Sequence, residues 1–418
     1  MGKIYFGVVA DDFTGASDAA SFLVKAGVPT VLFNGTPETE PELSEETRAV
    51  VIALKTRTMP RERAVVESLS AFRKLKKMGA RQFYLKYCST FDSTKEGNIG
   101  PVADAIMTAW DIPYTVLCPS LPVNGRTVKN GILYVNGVPL AESPMRNHPL
   151  TPMRDSRLEN LMEMQSEFPA KVIGSSSMIA AGSIASGKPC YLIPDYETDE
   201  DGDRIAAFFG NLCFLTGGSG LIGALGRRYV KLYGTIQESR ASSMPQKESA
   251  PAGKTLVLAG SCSAMTLRQI ADYTGRGEAS YRLLPDELLD GRQNVENVFA
   301  WIQEQESGSL IFSSASPEDL EKSQRLGKER VAAKIEETLA GLARMAAEHG
   351  YTRIIVAGGE TSGAVTQALG YQAFQIGESV APGVPVMTPL ANPSLRLVLK
   401  SGNFGQEDFF TRALEMTK

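Results

Sequence analysis

Short, continuous apolar runs, each closing on a polar or glycine-rich turn, alternate along this 418-residue chain with stretches of helical periodicity. In the first half the runs are IYFGVVADD, AVVIALKTR, QFYLKYCSTFDST, YTVLCPSLPVNGR, KPCYLIPDY and LCFLTGGSG. Each has the length and the β-branched or aromatic character of a buried strand. Helical patterns such as ASDAASFLVKAG and ERAVVESLSAFRKLKKMG follow several of them. Strands that alternate with helices predict a parallel sheet covered on both faces. The second half repeats the logic. TLVLAGSCS leads into TLRQIADYTG, SLIFSSASP into a helix over roughly 317–349, and YTRIIVAGGE into TSGAVTQALG, with Gly370 as C-cap. GVPVMTPL and SLRLVLKSGNFG read as further strands. Between the halves, SRASSMPQKESAPAG (239–253) has linker composition and no hydrophobic period. The expected fold class is therefore α/β: two α/β domains with mainly parallel sheets, 1–238 and 254–418, the active site falling in the interdomain cleft. No internal repeat is visible in the sequence.

Composition narrows the partners. Apolar residues at 43% and charged residues at 22% suit a globular chain with sizeable cores. A net charge of −4 gives no basic stripe for nucleic acid or a membrane surface. Five scattered cysteines without a CxxC pair, and only two histidines, argue for a reducing compartment and against a His/Cys metal site. The N-terminus enters a strand with no signal-peptide pattern, and no apolar run approaches the ~18–20 residues of a membrane span. A cytoplasmic location is expected.

The unusual residues sit at the C-terminal ends of the apolar runs, where open α/β sheets bind ligands. Three Gly/Ser-rich turns there suit phosphate: Gly260 to Ser263, Gly358 to Gly363, and Gly217 to Gly220. Glycine lets backbone N–H groups approach an anion at the positive end of a helix. The third turn contains G-x-G-x-x-G at Gly218, Gly220 and Gly223 but lacks the following strand and acid of a dinucleotide fold, so a phosphate or domain-junction role fits it better. No G-x-x-x-x-G-K-[ST] and no H-R-D occurs, which excludes a P-loop or protein-kinase architecture. The nucleotide candidates are Ser261, Ser263, Gly359, Glu360, Thr361, Ser362 and Gly363, with Gly402 in the Ser401 to Gly405 segment.

The early half carries the candidates for an acidic substrate. Asp11 and Asp12 follow the first strand. A helix cap accounts for one of them; the other could take a hydroxyl proton or bind magnesium. Lys55, Arg57, Lys86, Arg126 and Arg146 could meet a carboxylate. Ser89, Asp92, Ser93, Asn98 and Asn124 add hydrogen-bonding capacity. His148 reads as a structural loop residue, and no nucleophile elbow is present. A divalent ion would be held by carboxylate and phosphate oxygens alone.

At these residues the chain resembles the four-carbon acid sugar kinase family, on its 3-oxo-tetronate kinase branch. The resemblance rests on ADDFTGASD (10–18), LKTR (54–57), KYCSTFDST (86–94), GNIGPV (97–102), CPSLPVNGRT (118–127), MRNHPLTPM (145–153), LTGGSGL (215–221), AGSCS (259–263), GGETSG (358–363) and LKSGNFG (399–405). It spans nearly the whole chain. It implies an N-terminal acid-sugar domain, a C-terminal nucleotide domain and ATP-dependent phosphorylation of the 4-hydroxyl of 3-oxo-tetronate, with a product that feeds decarboxylation to a triose phosphate. It further implies ATP contacts at Ser261, Glu360 to Gly363 and Gly402, and substrate contacts at Asp12, Lys86, Arg126 and their neighbours. Asp12 is the first choice for the base, with Lys86 and Mg2+ neutralising charge. The alternatives are a kinase for D-erythronate or threonate, a non-catalytic sugar-acid-binding protein, and a nicotinamide-dependent dehydrogenase resting on the G-x-G-x-x-G alone. The expected partners are the acid sugar and ATP; a homo-oligomer stays open.

Overall fold

The computed structural model describes residues 4–39, 41–148, 150–174, 188–234, 253–306, 308–313 and 327–418. The chain divides into two compact units, Met1–Ser243 and Met244–Lys418. Most of the expected linker, and the first part of the helix expected over 317–349, lie outside the described residues.

The first unit is built on an eight-stranded sheet. Its strands are β1 (Phe6–Ala10), β2 (Thr30–Asn34), β3 (Ala49–Ala53), β4 (Gln82–Lys86), β5 (Tyr114–Cys118), β9 (Ala170–Ile173), β10 (Cys190–Pro194) and β11 (Phe214–Gly217). They run in the order β2-β3-β1-β4-β11-β5-β10-β9, and every pairing is parallel. The six apolar runs read from the sequence all form strands of this sheet. β1, β3 and β10 are buried along their whole length, as a sheet covered on both faces requires. A small antiparallel sheet of β6 (Arg126–Lys129), β7 (Ile132–Val135) and β8 (Val138–Pro139) branches off after β5.

Helices α1 (Phe13–Lys25), α2 (Arg61–Lys77) and α3 (Ile99–Ala109) follow β1, β3 and β4. Asp12 caps α1 by accepting the Gly15 N–H at 2.6 Å. After α4 (Leu158–Glu163), α5 (Asp199–Phe209) and α6 (Ser219–Tyr233) complete the unit. An edge-to-face cluster of Phe72, Phe83, Trp110 and Phe214 pins α2 to the sheet.

The second unit has the order β13-β14-β12-β15-β18-β17-β16, made from β12 (Thr255–Ala259), β13 (Ser280–Arg282), β14 (Ser309–Phe312), β15 (Arg353–Ala357), β16 (Ala373–Ala381), β17 (Val384–Pro389) and β18 (Arg396–Lys400). The first five strands in that order are parallel; β17 is antiparallel to both neighbours, β18 and β16. Its helices are α7 (Ala264–Gly275), α8 (Pro285–Asp290), α9 (Val295–Gln303), α10 (Lys328–Glu348), α11 (Gly359–Leu369) and α12 (Phe409–Met416). Gly370 ends α11 in the left-handed conformation (φ +69°), as expected for a C-cap glycine.

Candidate functional site

In the first unit the strand register sets Ala53, Ala10, Lys86, Gly217 and Cys118 in one row at the C-terminal ends of β3, β1, β4, β11 and β5. The chain leaves β1 toward one edge of the sheet and returns to place β4 on the other side of β1. This is the topological switch point where such sheets open a crevice.

Arg57 organises this edge. Its Nε and Nη2 donate to Asp11 Oδ2 and Oδ1 at 2.8 and 2.9 Å, a bidentate pair. Its Nη1 lies 2.9 Å from Asp12 Oδ2 and 3.5 Å from Asp92 Oδ2. Burial opposes the charge of this guanidinium, but Asp11 and Asp12 outweigh it and hold its pKa well above the usual arginine value. Burial lifts the Asp11 carboxyl, and Arg57 pulls it back. Arg57 thus already has three carboxylates around it, which the sequence could not reveal.

Asp12 keeps one oxygen on the Gly15 N–H and the other on Arg57, yet its side chain stays 32% exposed. Asp92 and its neighbour Phe91 adopt φ of +54° and +63°, a costly conformation for residues other than glycine. Thr151 Oγ1 donates to Asp92 Oδ1, and His148 Nδ1 lies 2.8 Å from the same hydroxyl and 3.6 Å from that carboxylate oxygen. His148 and Thr151 therefore belong to the site's frame. Apart from the resemblance of MRNHPLTPM, the sequence shows NHPLT as a loop. A cavity lined by Asp11, Thr56, Arg57, Tyr87, Asp92 and Asn98, among others, opens beside these groups.

The other expected residues separate into two sets. Asn98 donates to the carbonyls of Thr56 and Met59, and Ser93 donates to Gln165, so both brace loops. Lys55 is exposed, Ser89 and Asn124 are half-buried, and Arg146 turns to the carbonyl of Ala141. Lys86 and Arg126 differ. Lys86 is 2% exposed and donates to the Tyr87 carbonyl at 2.9 Å. Arg126 donates to the Asn124 carbonyl through Nη1, while its Nε is buried without a hydrogen-bond partner. Burial depresses its pKa. Among the described residues neither Lys86 nor Arg126 forms an ion pair.

The glycine turn at 217–220 is explained by packing. A Cβ on Gly217, Gly218 or Gly220 would strike the carbonyl oxygens of Cys118, Pro119 or Ser120. The N-terminus of α6 here receives a protein carboxylate, since Ser219 Oγ donates to Asp18 Oδ2.

In the second unit the corresponding row is Phe312, Ala259, Ala357 and Lys400. The three turns that follow β12, β15 and β18 therefore lie side by side. Gly260 and Ser261 donate their N–H groups to the Ala357 carbonyl, and Gly358 donates to that of Lys400. Ser263 caps α7 by accepting from Thr266 N–H, and Thr266 Oγ1 donates to the Gly402 carbonyl at 2.8 Å. A Cβ on Gly402 would meet the Ser261 and Ser263 hydroxyls, so these three expected residues do converge. Thr361 and Ser362 are buried, with the Thr361 hydroxyl against Gly260 and the Ser362 hydroxyl toward the Lys400 carbonyl. Gly359, Glu360 and Gly363 are exposed, and space is open around Gly359 and Gly363.

Lys400 was not singled out by sequence. It is 1% exposed and donates to Thr266 Oγ1, the Ser401 carbonyl and the Gly402 carbonyl at 3.2, 3.1 and 2.8 Å. Burial without a carboxylate partner lowers its pKa to about 7.

Comparison with known proteins assigns the two units. Residues 6–225 match a family model described as a sugar-binding N-terminal domain, and residues 256–410 one described as a nucleotide-binding C-terminal domain. The class is thus a two-domain sugar-and-nucleotide-binding α/β protein. A Brucella melitensis protein named 3-oxo-tetronate kinase is 43% identical, over 97% of this chain and 94% of its own. A Salmonella typhimurium protein of the same name is 43% identical over 97% of this chain and 98% of its own. A crystal structure from Salmonella typhimurium LT2, provisionally described as a tRNA synthase, superposes with a TM-score of 0.90 at 41% identity, covering 100% of both chains. The chain belongs to the four-carbon acid sugar kinase family, on the branch whose curated members are named 3-oxo-tetronate kinase.

Proposed function

We propose that this protein transfers the γ-phosphoryl group of ATP to the 4-hydroxyl of 3-oxo-tetronate. One observation carries the reading. A chain about as long as its relatives, and similar to them from end to end, has an acid-and-base-lined strand edge in its sugar-binding unit and three adjoining phosphate-type turns in its nucleotide-binding unit.

Asp12 is the base. Its two oxygens are fixed by Gly15 N–H and Arg57, and its exposure leaves it reachable by a substrate hydroxyl. Arg57, bound to Asp11, Asp12 and Asp92, positions these carboxylates. Lys86 offsets negative charge as the hydroxyl loses its proton, and Arg126, without an ion pair among the described residues, takes the acid's carboxylate. Lys55, Ser89 and Asn124 are further candidates for contact with the acid. The phosphates meet the turns of Ser261, Glu360 to Gly363 and Gly402, where open space at Gly359 and Gly363 leaves room for them.

Magnesium fits as an ion borne by the nucleotide. Glu360 is the carboxylate of the three turns, and Glu336 on α10, lifted by burial and by the Glu360 charge, stands near it. No set of three His, Cys, Asp or Glu residues able to enclose a metal occurs among the described residues. Mg2+ commonly uses one or two carboxylates plus phosphates and water, and would neutralise charge on the transferred group. A cytoplasmic setting belongs to the same reading. It is supported by five unpaired cysteines, and no described helix is long and apolar enough to cross a membrane.

The test is ADP release with Mg2+ against 3-oxo-tetronate generated in situ, erythronate, threonate and no acid. Turnover with the 3-oxo acid is expected. Asp12→Asn should lower it by about two to four orders of magnitude, with folding retained because Asn caps a helix as well as Asp. Turnover with a reduced acid alone would move the substrate, and no ADP release from folded protein would refute the kinase reading.

A further inference from the structure

Asp18 lies on α1, beyond the turn that bears Asp12, and is 7% exposed. Its Oδ2 accepts from Ser219 Oγ, but its Oδ1 is buried with no hydrogen-bond partner among the described residues. A buried polar atom left without a partner is destabilising, so it needs an explanation. Burial lifts the pKa of this carboxyl and Asp12 adds to the rise, while Lys86, the Ser219 hydrogen bond and Arg126 pull it back toward the ionised form. No ion pair within 4.0 Å joins Asp18 to either cation. Among the described residues, Lys86 with its three N–H donors is bonded only to the Tyr87 carbonyl, and Arg126 Nε, also buried, has no acceptor. α1, β4 and β6 therefore carry one unfilled acceptor and two cations with unfilled donors, close enough for both cations, and Asp12, to act on the Asp18 charge.

A ligand that completes all of them must present an oxygen anion to Lys86 and Arg126 and, beside it, a hydroxyl that donates to Asp18 Oδ1. An α-hydroxy carboxylate has that arrangement of groups. We infer that Asp18 Oδ1 accepts the hydroxyl adjacent to the substrate's carboxylate, which makes Asp18 a specificity-determining residue for 2-hydroxy acids. The inference rests on the acid-sugar reading of this site and adds to it the group that recognises the second carbon. The purely structural role, anchoring Ser219 at the start of α6, uses Oδ2 and leaves Oδ1 unexplained.

The test compares inhibitors that differ at one position. Erythronate and threonate carry the 2-hydroxyl; 3,4-dihydroxybutanoate is their 2-deoxy counterpart. Each is measured as a competitor of the 3-oxo acid in the ADP-release assay, with wild type, Asp18→Ala and Asp18→Asn. A charge-assisted hydrogen bond predicts that at least one 2-hydroxy acid binds wild type roughly ten- to hundred-fold more tightly than the deoxy acid. Asp18→Ala should abolish this preference, and Asp18→Asn, nearly isosteric and the safer variant for folding, should remove most of it. A merely structural Asp18 would weaken all three inhibitors alike and leave their ratio unchanged. An unchanged ratio in a folded variant, or equal or absent inhibition of wild type by the two classes, overturns the inference while the kinase reading stands. Absence of wild-type turnover with every acid would instead overturn that reading.

Discussion

Arg57 and Arg126 looked alike in the sequence, each a basic residue beside Asn, Ser or Thr at a strand end. Their difference comes from partners 46 and 35 positions away along the chain, which no local pattern encodes. Removing Arg57 strands three carboxylates in a partly buried site. Arg57→Ala should therefore destabilise the first unit by about 3–5 kcal/mol. Arg126→Ala removes no ion pair, so it should leave the denaturation midpoint nearly unchanged and raise the KM for the acid. Equal stability losses in urea titrations would contradict this division. Lys400 was equally hidden, because SLRLVLKSGNFG shows a strand running into a turn and not what the lysine touches. With its folded pKa near 7 and an unfolded value of about 10.4, the unfolded chain binds more protons between those limits. Stability should therefore rise from pH 7 toward pH 10, while below pH 7 the full burial penalty applies. Lys400→Met, which cannot titrate, should show a flatter profile over pH 7–9. Parallel denaturation curves for the two proteins would remove Lys400 as the source.

At the scale of elements, the two units share a plan that the sequence did not disclose as a repeat. The first four strands of one unit lie in the order β2-β3-β1-β4, and those of the other in the order β13-β14-β12-β15. Each unit then has its switch point between its first and fourth strands; Asp11, Asp12, Ser89 and Asp92 follow those strands in one unit, and Ser261, Ser263 and Gly359 to Gly363 in the other. The central strands were legible because burial on both faces demands unbroken apolar runs. β13 escaped because it is only three residues long, and β16 because its burial is interrupted by half-exposed and exposed positions. The glycine turns were legible as turns but not by purpose. Gly217, Gly218 and Gly220 admit neighbouring carbonyls, and Gly260 admits the Thr361 hydroxyl, whereas Gly363 faces open space. Gly363→Val should thus keep stability and raise the KM for ATP by roughly tenfold or more, equivalent to about 1.4 kcal/mol of lost binding. Gly260→Val should instead lower stability through a clash. Nucleotide kinetics unchanged by Gly363→Val would move the phosphates away from α11.

For the whole molecule, division of labour is the property that sequence and structure both express. Each unit has its own core; in the second it includes Val257, Leu310, Ile355, Val398, Phe409 and Phe410. The division could be read from the change of composition between the halves, because a chain cannot bury a core where apolar residues are missing. Two cores imply that each ligand stabilises its own unit first. A nucleotide analogue at one hundred times its dissociation constant adds about 2.7 kcal/mol to the state that binds it. Hydrogen exchange with the non-hydrolysable analogue alone should slow by roughly a hundredfold at globally exchanging amides of β12, β15 and β18, with added protection in the turns at 260–263, 358–363 and 401–405. The acid alone should slow exchange in β1, β3 and β4 and at 11–15 and 86–93. Protection of the first unit by nucleotide alone, without change in the second, would reverse the assignment of ligands to units. Protection of both units by either ligand would show instead that the two cores open as one cooperative structure and are not stabilised separately.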